Sequence, residues 1–170
     1  MITFSEYPPH INPCDEDRID LDGRCVGNGK PREMFADWHM LQTNFLKDLD
    51  DAGFAPELFD IVLCTHHHPG HVGWITMLVN DTWVPTFPNA RYLIVRTEFD
   101  YVNDEQETED VEPWLKDLNL NLLSDSIKLV LGAGLIDLVR NDHHVCDEIK
   151  LIPTPGYTIG HIGKNFIQPS

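Results

Sequence analysis

The chain has 170 residues, 42% of them hydrophobic, and a net charge of −16, which suits one globular domain with its own core. So acidic a balance excludes nucleic acid and anionic membrane surfaces as main partners, since both require basic patches. No apolar run approaches the roughly 20 residues that a membrane helix needs.

The opening residues, Met1 to Pro9, lack the basic and apolar regions of a secretory signal, so a cytoplasmic protein is expected. Cys14, Cys25, Cys64 and Cys146 are widely spaced, without the pairing of a zinc ribbon or redox motif, and are expected as reduced thiols. Residues 1–18 read as irregular, and Ile19–Leu21 as a short strand. Gly23, Gly27, Asn28, Gly29 and Pro31 then make a loop. Gly27-Asn28-Gly29-Lys30 has the wrong spacing for a phosphate loop and reads as a plain turn.

From Phe35 to Ala52 the spacing predicts a helix, with Trp38, Leu41, Phe45, Leu46 and Leu49 on one apolar face and Gly53 as its stop. Met34, Trp38 and Met40 read as core fillers. Pro56 and Glu57 form a turn before the apolar strand Ile61–Cys64. Val72–Leu78 reads as a short helix, 83–90 as a hairpin or loop, and Arg91–Arg96 as a strand. Residues 98–112 hold eight acids, a run expected to be solvated. Helices are expected over Trp114–Leu123 and Asp125–Leu131. Two strands follow, Leu135–Val139 and Val145–Ile152, around a turn at 141–144. One α/β domain spanning 1–170 fits this alternation.

The chemistry concentrates in Thr65-His66-His67-His68-Pro69-Gly70-His71, where four of the nine histidines follow the strand at 61–64. In extended backbone, residues two apart share a face, so His66 and His68 converge while His67 points away. Neutral imidazole is the commonest metal ligand. Cys64 lies in the apolar strand and reads as packing rather than as a nucleophile. None of the four serines sits in Gly-x-Ser-x-Gly, which argues against a serine hydrolase. His143 and His144, beside Asp142, read as a solvated turn.

Several segments together resemble the metallo-β-lactamase superfamily, specifically its lactonase- and esterase-like hydrolases. They are Cys25-Val26-Gly27-Asn28, Ala52-Gly53-Phe54, Ile61 to His66, Gly73-Trp74, Pro85 to Leu93 and Pro153-Thr154-Pro155-Gly156. The resemblance implies an α/β fold of the αββα sandwich type. It also implies that the fold is incomplete here, with its C-terminal half largely absent. Matched to the family's His-x-His-x-Asp-His, the metal ligands are His66, His68 and His71. The first two belong to one ion and the last to a second. Gly70 stands where that signature has Asp. Tyr157 stands where the family has its next histidine ligand, and phenols keep their protons at neutral pH. His161 matches a histidine that is not usually a ligand.

The implied cofactor is zinc, and the implied reaction is hydrolysis of an ester, lactone or amide of a small molecule by zinc-activated water. No catalytic side chain beyond the ligands is assigned. One zinc shared by His66, His68 and His71 is an alternative, and so is a degenerate, non-catalytic member that serves at most as a binding module. A shortened sandwich should also leave apolar surface and an open sheet edge, favouring marginal stability and homo-oligomers.

Overall fold

The strands Ile61–Cys64 and Arg91–Val95 are apolar almost throughout, the pattern of parallel strands covered on both faces, and they form the centre of the molecule. The computed structural model describes residues 11–13, 19–22, 26–104 and 113–167. Its main sheet runs β1 (Ile11–Pro13), β2 (Ile19–Asp22), β3 (Ile61–Cys64), β6 (Arg91–Val95) and β7 (Ile136–Val139). From β2 to β7 the strands are parallel, with Val62 opposite Tyr92 and Tyr92 opposite Ile136. Only β1 is antiparallel to its neighbour, and it falls in the stretch read above as irregular.

Alternation divides the core in two. Val62, Cys64, Tyr92 and Ile94 face a helical layer and pack with Phe45, Leu49, Leu122, Leu123, Ile127 and Val130. Ile61, Leu63, Leu93 and Val95 face the other way, onto Leu151 and Ile162 of a second, antiparallel sheet. That sheet has the order β10 (Ile162–Phe166), β9 (Ile149–Pro153), β8 (His144–Cys146). Helix, sheet and sheet are three layers of an αββα sandwich. Among the described residues no helix covers the second sheet, and none is long and apolar enough to cross a membrane.

Several local expectations are corrected. The helix predicted over Phe35–Ala52 is confined to α1 (Phe45–Asp51). Residues before it fold back as turns, with Met40 at φ 51° and the Met40 N–H donating to the Lys30 carbonyl. Asn28 fastens that return, its amide donating to the Thr43 carbonyl and its Oδ1 accepting from the Thr43 N–H. Met34 and Met40 are exposed rather than core.

Val72–Leu78 is not one helix. The helix α2 (Pro69–Val72) passes through a 3₁₀ turn into β4 (Thr76–Val79), which pairs with β5 (Thr82–Pro85). Asn80 and Asp81 link them at positive φ, the conformation of a two-residue hairpin turn. Arg96 leaves the strand to open α3 (Arg96–Asp104), so the acidic run begins as a helix; residues 105–112 lie outside the described residues. The helices α4 (Pro113–Leu122) and α5 (Lys128–Gly132) join through a π-helical turn at Leu123–Ile127 instead of breaking. Val145–Ile152 is two strands around a turn at 147–148.

One glycine contact seats the loop after β2. A Cβ at Gly73 would lie 1.7 Å from the Val26 carbonyl oxygen, so only glycine permits this approach. The close packing of 26–27 on 73 sets the entry to the helical layer.

Candidate metal centre and adjoining cleft

In open parallel sheets the carboxyl ends of the strands are where ligands bind. Here β3 delivers Thr65 to His68 at that end, β6 delivers Glu98 on α3, and the loop 154–161 closes over them before β10. The Ile162 N–H donates to the Thr65 carbonyl, which ties the start of β10 to the histidine segment.

His66 is at the middle of the cluster. Its ring centroid lies 4.0 Å from that of His71, 4.8 Å from His68, 4.9 Å from His161 and 5.1 Å from Tyr157. The structure therefore places the rings of His68, His71, His161 and Tyr157 around that of His66; the spacing predicts only that His66 and His68 share a face. His66 Nδ1 is 3.1 Å from Thr65 Oγ1, and its Nε2 is buried with no hydrogen-bond partner. When Nδ1–H donates to Thr65, Nε2 presents a lone pair, the tautomer a metal ligand needs. His161 Nδ1 is fixed by Thr154 Oγ1 at 2.7 Å.

Burial pushes His66 down to about 3, and the neighbouring His71, His68, His161 and His67 push the same way. Burial also lowers His68, against the opposing charge of Glu98. His66 and His68 are thus held toward the neutral form, the protonation state in which imidazole ligates.

The donor set fits a transition-metal ion in kind: imidazoles around a buried, unpartnered Nε2. In arrangement it falls short. Among the described residues no group of three or more His, Cys, Asp or Glu is disposed to hold an ion. Gly70 brings no oxygen, and Tyr157, in the place of a histidine, is 67% exposed.

Glu98 is the site residue that sequence reasoning missed. Far from solvated, it is 2% exposed. Its Oε1 accepts the backbone N–H of His67 at 3.1 Å and its Oε2 that of Gly160 at 2.9 Å, so one carboxylate joins the two loops of the site. A Cβ at Gly160 would come within 2.6 Å of the Glu98 backbone nitrogen, so glycine is required there too. The only signal in the sequence was its position, three residues after a buried strand.

Beside the cluster is a cleft of about 790 Å³ that shares His68 and Tyr157 with it. Phe35, Trp38, Tyr101 and Trp114 supply its aromatic walls, and the Phe35 and Trp38 rings pack 4.8 Å apart. This explains the apolar residues that the sequence assigned to a longer helix: they line a cavity.

The sequence profile of the metallo-beta-lactamase superfamily matches residues 27–164. No curated protein matches the chain. Among solved structures it is similar to the hydrolase AbOPH of the beta lactamase superfamily, at 21% identity and a TM-score of 0.67, over 90% of this chain and 49% of that one. It is similar to AidC, a dizinc quorum-quenching lactonase, at 20% identity and a TM-score of 0.65, over 91% and 50%. A probable metal-dependent hydrolase from Staphylococcus aureus gives 19% and 0.61, over 85% and 48%. The chain thus spans about half the length of these structures.

Proposed function

Because the chain belongs to the metallo-beta-lactamase superfamily, we propose that it is a metal-dependent hydrolase-type domain acting on an ester, lactone or amide of a small molecule in the cytoplasm. The observation that carries this reading is the junction of histidine cluster and apolar cleft, with His68 and Tyr157 common to both. A ligand can set a polar, hydrolysable group against the imidazoles while its apolar part fills the cleft. The hydrolase and lactonase relatives support the same class of reaction.

His66 and His68, with His71, would hold the ion. The chemistry such an ion would supply when bound is activation of water near neutral pH and polarisation of a carbonyl. The chain's own residues do the rest. Thr65 fixes the ring of His66, Glu98 holds the two loops in register, and the aromatic walls exclude water from the apolar part of the substrate.

A second reading, a non-catalytic binding module, is favoured by Gly70 and Tyr157 at ligand positions and by the absence of three converging donors among the described residues. Metal analysis of protein purified without a histidine tag, with a panel of aryl esters, lactones and amides, separates the two. Zinc retained through dialysis with metal-dependent turnover supports the hydrolase. Metal-free, inactive protein that still binds ligands in the cleft supports the module.

A further inference from the structure

We infer that His67 and Thr158 form a second recognition point in the cleft, for the hydroxyl group of a small, neutral, aromatic ligand. The inference rests on the cleft being a ligand site, as the proposed function does, but requires neither metal nor hydrolysis.

His67 points away from the ring cluster and lines the cleft instead. It is 3% exposed, and neither Nδ1 nor Nε2 has a hydrogen-bond partner. Thr158 lines the same cleft from the facing loop, and its Oγ1 is buried and equally unpartnered. Buried polar atoms are nearly always satisfied, and leaving one unpaired costs free energy. Here the two residues that carry three such atoms line one cavity with predominantly apolar walls. The fold does not use them, and a ligand that turns the His67 and Thr158 side chains toward the cavity can.

The chemistry of the atoms selects the group. A neutral imidazole offers one donor and one acceptor, and a threonine hydroxyl offers both. A ligand hydroxyl, also donor and acceptor, matches them. A carboxylate only accepts, and it would enter beside the buried Glu98, whose oxygens already hold the N–H groups of His67 and Gly160. The backbone of His67 is fixed by that contact, so the ring is held rather than free to leave the cavity. Walls built from Phe35, Trp38 and Trp114 favour a flat ring as the apolar part.

Equilibrium dialysis of the full chain in chelator-containing buffer tests this with 2-naphthol, 2-methylnaphthalene and 2-naphthoate. The wild type should bind 2-naphthoate more weakly than 2-naphthol. In His67→Phe and Thr158→Val, the ratio of 2-naphthol to 2-methylnaphthalene affinity should fall by about tenfold, the effect of about 1.4 kcal/mol for a lost buried hydrogen bond. An unchanged ratio in folded variants overturns the proposal, as does a wild type that binds none of the probes. If His67→Phe does not fold, the ratio in Thr158→Val decides alone. Missing zinc or turnover leaves this result standing, and an unchanged ratio leaves the hydrolase reading standing.

Discussion

Two buried polar clusters in this domain differ in one respect. Lys30, Arg32 and Asp125 lie under the helical layer and close on themselves. Lys30 Nζ donates to Thr76 Oγ1, the Asp125 carbonyl and Ser126 Oγ at 2.7–2.9 Å, and sits 4.3 Å above the Trp83 ring. Arg32 grips both Asp125 oxygens, at 2.7 and 3.1 Å, and only its Nε lacks a partner. At the histidine site His66 and His67 are as deeply buried, but their polar atoms are open: His66 Nε2 and both nitrogens of His67 have no partner. A closed polar network specifies the fold, whereas an open one costs stability and marks where a ligand can satisfy it.

The comparison breaks most severely at Asp125. Asp125→Ala strands two buried cations and should cost about 3–5 kcal/mol, read by urea denaturation. Lys30→Met, which leaves the Arg32–Asp125 pair, should cost clearly less. Burial alone would raise the Asp125 carboxyl, but the hydrogen bonds from Arg32 and Ser126 and the charges of Lys30 and Arg32 hold it below its usual value. Its contribution is therefore present above about pH 4 and lost as pH falls through the lower folded value. Acid melts of wild type should lose stability there, and those of Asp125→Ala should lose less.

At the open cluster the expected loss is function rather than fold. Zinc binding is expected to be weak and easily stripped; His66→Ala should abolish whatever binding calorimetric titration detects, and His67→Ala should not. Because His66 Nε2 satisfies nothing in the fold, the melt of His66→Ala should stay within about 1 kcal/mol of wild type, well below the effect at Asp125. A loss matching that of Asp125→Ala would place the histidines in the same structural class.

Rebuilding the ligands sharpens the contrast from the other side. A Cβ at Gly70 meets only the Trp38 ring, at an ordinary 3.6 Å, so Gly70→Asp has room. Combined with Tyr157→His it should raise zinc affinity beyond the sum of the single changes, by a coupling of about 1 kcal/mol or more. Strict additivity would mean that the two loops do not converge on one ion.

The second sheet offers a smaller test. Ile152, Phe166 and Ile167 are exposed there, and β10 and β8 are its edges among the described residues. Reversible self-association on sizing columns at rising concentration is expected, and a Phe166→Lys change should reduce it. A strict monomer at every concentration removes this surface from consideration.

What the sequence made legible were features carried by local pattern. The apolar runs at 61–64 and 91–95 announce buried parallel strands, and the histidine spacing announces the cluster they present. Trp38 misled because a cavity wall and a helix core draw on the same residues, and nothing local betrays the positive φ at Met40. The Lys30–Asp125 bond joins residues 95 positions apart, and Glu98 was submerged among seven other acids. Both act through partners that only the tertiary fold supplies.

Glu98 carries a further consequence, in the exchange of backbone hydrogens with solvent. Its two oxygens hold amides 31 and 62 residues away in sequence, His67 and Gly160, so neither can open fully without disturbing the other. The two amides should therefore exchange as one unit, separate from the slower amides of β3 and β6. Glu98→Gln, which retains one acceptor and loses the charge, should speed the exchange of at least one of them while the core strands keep their protection. The loops that form the site would then be a single cooperative flap, hinged on one side chain.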